Sequence, residues 1–228
     1  MSTEKLNPKF DLPLKQLEDA IHAHVNGDFC GYDYVVSPRD LQKVTGLAFF
    51  RRDTFESLIR GIPLRTESAE KIYPYENARI NVFGREPKGL DIGQVFVLRD
   101  KLVSIMENLG RGVFAEYVTK GLSKMPPIQI YGLDSEGRKV MAFYIPPIIE
   151  IHGDRAVLVD GSHRSYLCGS AGTTINAAHI SNVEIPLPFD PQSFDKVQIV
   201  TEKPPIEQRY QNLRRKYFRD LAAVGIDG

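Results

Sequence analysis

The sequence predicts an α+β fold, and three observations carry the prediction: apolar residues at helical spacing near the start, two consecutive strand pairs joined by turn residues in the middle, and an amphipathic stretch at the end. Leu14, Leu17, Ile21 and Val25 recur at the period of a helix face. Ser37-Pro38 reads as an N-cap followed by proline at the first helical position. A second short helix is expected from Asp53 as cap through Phe55, Leu58 and Ile59, ending at Gly61 and Pro63. Residues 1–70 are therefore expected to form a helical N-terminal region.

From Ile72 the texture changes. Ala78 to Phe83 alternates like a strand, and Val95-Phe96-Val97-Leu98 follows a connection rich in glycine and proline. Helix returns with Leu98, Leu102, Ile105, Met106 and Leu109 on one face ending at Gly110, and a further helical stretch is expected from Val113 to Leu122. Pro127 to Tyr131 and Lys139 to Tyr144 flank the turn Asp134-Ser-Glu-Gly137 and predict a hairpin. A second hairpin is expected at once, Ile148 to Ile151 against Ala156 to Val159 across Gly153-Asp154. Val183 to Leu187 and Val197 to Val200 read as further strands. Ile206, Tyr210, Leu213, Tyr217, Leu221 and Val224 then trace a terminal amphipathic helix. The expected organisation is a helical region over 1–70, a mixed α+β domain over 71–204 and a docking helix over 205–228.

A chain of 228 residues is long enough to bury a sizeable core. Its 29 Lys and Arg balance 29 Asp and Glu, so no global basic field exists to hold a nucleic acid or an anionic membrane. No apolar run approaches the ~18 residues of a membrane span. The opening MSTEKLNPKFDLP has neither the basic start nor the apolar centre of a signal peptide, which predicts a cytoplasmic protein. Two cysteines, Cys30 and Cys168, make no disulfide framework and lie in no zinc-ligand spacing, and the two histidines of His22-Ala-His24 point about 200° apart on a helix, which suits no common chelate.

The string with chemistry in it is Ala156-Val-Leu-Val-Asp160-Gly161-Ser162-His163-Arg164-Ser165-Tyr-Leu-Cys168. An apolar strand ends at Asp160-Gly161 and the chain turns into a short helix at His163, with Ser162 expected as its cap. That turn brings the positive end of a helix dipole, the Arg164 fork and the His163 ring near one point, while Gly161 lets a phosphate approach the backbone. His163 is also a candidate for proton transfer. Cys168 reads as a buried, inert thiol, and His179 as a structural histidine in the strand-like stretch after the turn.

In this form, Asp160-Gly161-Ser162-His163-Arg164 resembles the D-G-x-H-R boxes of the ParB/sulfiredoxin superfamily, above all its nucleotide-binding and free-serine-kinase branches. Pro146-Pro147-Ile148-Ile149-Glu150-Ile151 is similar to the family's P-I-x-V strand, and Leu98 to Gly110 to the helix upstream of it. The resemblance covers residues 72–187 and implies a ParB/sulfiredoxin-like mixed sheet with flanking helices. It further implies that Gly161, His163 and Arg164 bind the phosphates of ATP, ADP or CTP. Ser162 joins them as a candidate binding residue, Mg²⁺ is expected as an accompanying ion with no dedicated metal-ligand set, and Asp160 and His163 are the candidates to assist a reaction.

Three departures qualify the resemblance. Ser162 stands where sulfiredoxins have a cysteine, the hairpin from Pro127 to Tyr144 is an insertion, and Glu76, Glu86 and Asp91 all remain open as the acid that family kinases use. Two functions follow: a phosphotransferase or nucleotide hydrolase acting at Asp160 to Arg164, or a nucleotide-regulated, DNA-associated binding module without catalysis. The terminal stretch bears Arg209, Arg214, Arg215, Lys216 and Arg219 against Glu207 and Asp220, but Tyr210 and Tyr217 fall on its apolar side. The stripe is therefore expected to be the solvated face of a docked helix rather than a nucleic-acid contact.

Overall fold

The computed structural model describes residues 10–25, 31–66, 70–109 and 122–227. In chain order the elements are β1 (Asp11–Pro13), α1 (Leu14–Ile21), β2 (Tyr34–Val36), β3 (Lys43–Phe49), α2 (Arg52–Arg60), β4 (Arg79–Arg85), β5 (Asp91–Ile92), β6 (Phe96–Leu98) and α3 (Arg99–Leu109). They continue as β7 (Ile128–Leu133), β8 (Lys139–Tyr144), β9 (Ile148–His152), β10 (Arg155–Asp160), α4 (Ser162–Ser170), β11 (Ile175–Ser181), β12 (Gln192–Ser193), β13 (Gln198–Val200) and α5 (Ile206–Arg209). The class is α+β, with mixed sheets, as expected. Cys30, Gly110 and residues 113–121 of the expected second helix lie outside the described residues.

The chain divides into two compact units, and the division differs from the expected cut at residue 70. The first unit comprises Met1–Glu76, Pro126–Ile145 and Arg219–Gly228. Its sheet runs β1-β2-β8-β7-β3, so the 127–144 hairpin completes a sheet with N-terminal strands instead of interrupting the second unit. The N-terminal region is thus not simply helical. Val44, Thr45, Leu47 and Phe49 form an edge strand along β7, a long-range pairing that local periodicity could not reveal. Ser37 does cap, its hydroxyl accepting from the Arg39 N–H, but the helix it starts is a single 3-10 turn, Pro38–Asp40, before Leu41 turns extended. The left-handed conformation of His22, φ 52°, stops α1 short of Val25. In α2 the cap position is Arg51, and Asp53 sits in the first turn with its carboxylate accepting the Thr54 N–H.

The second unit comprises Asn77–Met125 and Pro146–Phe218. Its main sheet runs β12-β5-β10-β9-β11-β4, with β9 and β10 as the expected hairpin and β11 parallel to β9. A small parallel pair, β6 with β13, stands beside it. Leu90, Ile92, Ile149, Leu158, Ala177 and Phe194 form a buried cluster, against which Phe96 and Tyr166 of α4 pack. No strand forms over Val183 to Leu187, where Pro186 removes a donor a ladder needs.

The terminal amphipathic helix expected over 205–228 is also absent from the described residues. Only α5 is α-helical, followed by 3-10 turns at Arg215–Tyr217 and Leu221–Val224. Tyr210 leaves the helix in an extended conformation and bridges to Gln94, Asn212 adopts φ 49°, and backbone bonds run from Asp190 N to Gln211 O and from Arg214 N to Pro188 O. These partners across the chain replace the i to i−4 bonds a helix would have made. Tyr210 stacks on Phe189, with ring centroids 5.3 Å apart, and does not lie on a continuous helix face.

Candidate anion site at the start of α4

The site is built by the way β10 ends. Its register with β9 shifts between Leu158 and Asp160, and such a bulge re-aims the residues beyond it. Gly161 follows at φ 86° and occupies the cap position of α4. Only glycine fits there: a Cβ would lie 2.7 Å from Pro147 Cβ, in addition to the left-handed strain. Ser162 is therefore the first helical residue and makes no capping hydrogen bond, which corrects the expectation that it caps α4. The turn is completed by the Ser165 N–H donating to Gly161 O at 2.9 Å.

Asp160 is buried, and its Oδ2 lies 3.3 Å from Arg164 Nη2, one turn further along. Both residues of the box thus face the same spot, and the carboxylate fixes the guanidinium there. His163 plays a different part. Its Nε2 accepts the Leu98 N–H at 3.0 Å, tying α4 to β6. Burial, followed by the positive charges of Lys203, Lys101 and Arg164, pushes its pKa down to about 3. The ring is consequently neutral at physiological pH with its proton on Nδ1, and the nitrogen that would accept a proton is already occupied. This geometry argues against the proton-transfer role expected of His163 and makes it a positioning group.

The same charges identify residues that the sequence reading missed. Lys101 lies in the first turn of α3, which packs on α4, and Lys203 follows β13. Lys203 Nζ donates to Gln94 Oε1 at 3.0 Å. Burial, with Lys101 and Arg209, pushes its pKa down to about 8. Arg209 in turn donates from Nε to Pro204 O at 2.5 Å. A cavity of about 460 Å³ opens here, lined by Phe96, Glu202, Lys203, Pro204, Pro205 and Gln208. Lys101, Lys203 and Arg209 are scattered over a hundred residues of sequence, and the one local signal was the Lys203-Pro-Pro string ahead of the basic stretch.

Cys168 is a buried free thiol, its pKa raised to about 11 by burial, which keeps it protonated at neutral pH. His179 is buried in β11 and stacks on Phe83, ring centroids 3.7 Å apart. Of the three candidate acids, Asp91 pairs with Arg155 Nε at 2.7 Å, Glu76 belongs to the first unit, and Glu86 is exposed ahead of the 3-10 turn Pro87–Gly89. In the terminal stretch, Arg214 pairs with Asp190, Arg215 with Glu207, and Lys216 lies over the Tyr217 ring. Among the described residues no group of three or more His, Cys, Asp or Glu side chains could hold a metal ion, and no helix is long and apolar enough to cross a membrane.

Set against models of protein families, curated proteins and solved structures, the chain matches none of them.

Proposed function

We propose that the chain binds a nucleotide or another phosphate-bearing small molecule at Asp160 to Arg164, in the manner of the ParB/sulfiredoxin superfamily that its box resembles. The observation that carries this reading is the convergence of like charge: Arg164, Lys101 and Lys203 all act on His163 at the glycine-capped start of α4. Cations brought together around a half-buried ring repel one another, and an anion with several oxygens relieves that repulsion while accepting hydrogen bonds from forked and pointed donors. ATP, ADP or CTP, with Mg²⁺ carried on the phosphates, supplies such an anion. Phosphoryl transfer or nucleotide hydrolysis here would rest on positioning and charge and not on His163 as base. The paired state of Arg214 and Arg215 favours this small-molecule reading over a DNA-associated one.

A thermal-shift panel of ATP, ADP, CTP, GTP and inorganic phosphate, with and without Mg²⁺, tests it. At a ligand concentration one hundred times Kd, binding stabilises the folded state by about 2.7 kcal/mol, which raises the midpoint. No shift with any ligand, or an equal shift in Arg164→Gln, overturns the assignment.

A further inference from the structure

We propose that the cavity over Phe96 is a subsite for a second anionic group of the ligand, and that Lys203 takes up a proton as that group enters. The inference rests on the phosphate reading of the box and adds to it a ligand class, a molecule with two anionic groups such as a nucleoside diphosphate, and a coupling to pH.

Lys203 is half-buried on the cavity wall, and the acceptor it reaches, Gln94 Oε1, is neutral. The groups that face it from neighbouring elements are Lys101 of α3, Arg209 of α5 and the neutral His163 ring of α4. Glu202, its chain neighbour, lines the cavity but is exposed. Arg209 donates to Pro204 O beside the cavity, and Phe96, Pro204 and Pro205 give the wall apolar surface. An ammonium in such a place is destabilised twice, by lost solvation and by its cationic neighbours, and its pKa of about 8 expresses both. A phosphate or carboxylate oxygen beside Nζ reverses the second effect and offsets the first.

The sign follows directly. With the cavity empty, a large fraction of Lys203 is neutral at pH 8; with an anion in place it is charged, so binding draws in a proton. Affinity is greatest below pH 8 and falls as pH rises from about 8 towards the bound-state pKa, by up to tenfold per pH unit for one proton. Charge balance is simple: the amine gains H⁺ from solvent and no covalent bond to the ligand forms.

Isothermal titration calorimetry with the full chain and ADP at pH 8, in two buffers of different ionisation enthalpy, measures the coupling. We expect uptake of a substantial fraction of one proton, tighter binding of ADP than of AMP or inorganic phosphate, and a smaller AMP-to-ADP gain in Lys203→Gln. Lys203→Arg carries a permanent charge and should bind with no proton uptake. Lys101→Gln, which relieves Lys203 without touching it, should reduce the uptake at pH 8. ADP binding with no proton uptake, or with the same uptake in Lys203→Arg, overturns the inference and leaves the phosphate reading standing. Binding of phosphate, AMP and ADP with one affinity overturns the second subsite. If no phosphate compound binds the wild type, the reading and the inference fall together. Citrate binding as tightly as ADP and with the same proton uptake identifies the second group as a general carboxylate or phosphate subsite, which supports it.

Discussion

A side chain at position 161 would meet Pro147 and be forced into a left-handed backbone, so the turn that presents the box depends on one missing methyl. Gly161→Ala is expected to destabilise the protein by about 2–4 kcal/mol, roughly half from the φ strain and half from the overlap, measured by urea unfolding. Ser162→Ala should stay within about 0.5 kcal/mol of the wild type, because this hydroxyl caps nothing. A loss of 1 kcal/mol or more would restore the capping role. Arg164→Ala does more than remove the proposed ligand contact: it strips a partner from buried Asp160 and should cost about 1–3 kcal/mol of stability as well. Asp160→Asn/Arg164→Gln should recover most of that stability without recovering binding. The histidines set the acid limb. Folded-state values of about 3 for His163 and about 4 for His179 lie below the unfolded value near 6.5, so the unfolded chain binds more protons. Stability should therefore fall as pH drops from about 6.5 towards 4, by at most about 1.4 kcal/mol per pH unit for each histidine. The carboxylates Asp53, Asp134, Asp190 and Glu207, held low by their hydrogen bonds, add a further loss below about pH 4. Replacing His163 with Gln should reduce the slope from about pH 6.5 down to about 3 and leave the part that His179 contributes above about pH 4.

Elements built from contacts close in sequence were legible. Both hairpins, α2 and the β6–α3 junction follow from period, turn residues and caps, because the partners of each lie within a few residues. What escaped depends on distant partners. β3 is a strand because β7 lies beside it, and the chain beyond Arg209 does not continue α5 because 187–190 and Gln94 offer bonds of their own. The same holds for the site, in which Asp160 to Arg164 was readable as one string and Lys101, Lys203 and Arg209 were not. The loss of the terminal helix changes what its arginines do. Arg214 bonds Asp190 and Leu187 O, whereas Arg215 and Lys216 make exposed contacts at the surface. Arg214→Gln should lower the urea midpoint clearly, and Lys216→Gln should leave it unchanged; equal effects would show that the stripe is a uniform solvated face after all.

On the scale of the whole molecule, a neutral chain gathers its positive charge locally and assembles each unit from separated segments. The first unit draws its last segment from residues 219–228, and the physical hold of that segment can be enumerated. Val224 and Ile226 are buried, Asp220 N donates to Pro63 O, and Asp227 accepts from Ser37 Oγ at 2.7 Å and from Arg39 on both oxygens. Gly225, at φ 74°, lets the backbone pass Val35 at a distance no side chain allows. Burying the two aliphatic side chains alone contributes about 3–6 kcal/mol, a large part of the 5–15 kcal/mol typical of a domain. Deleting residues 219–228 should therefore unfold or severely loosen the first unit. The box and its cations, in contrast, belong wholly to the second unit, whose segments end at Phe218. The deletion is expected to lose hydrogen-exchange protection in β2, β7 and β8 while β9, β10 and β11 keep theirs. ADP should still protect the start of α4. Exchange that rises equally in both sheets would show that the two units fold as one cooperative body, and would move the control of the anion site from its local turn to the whole chain.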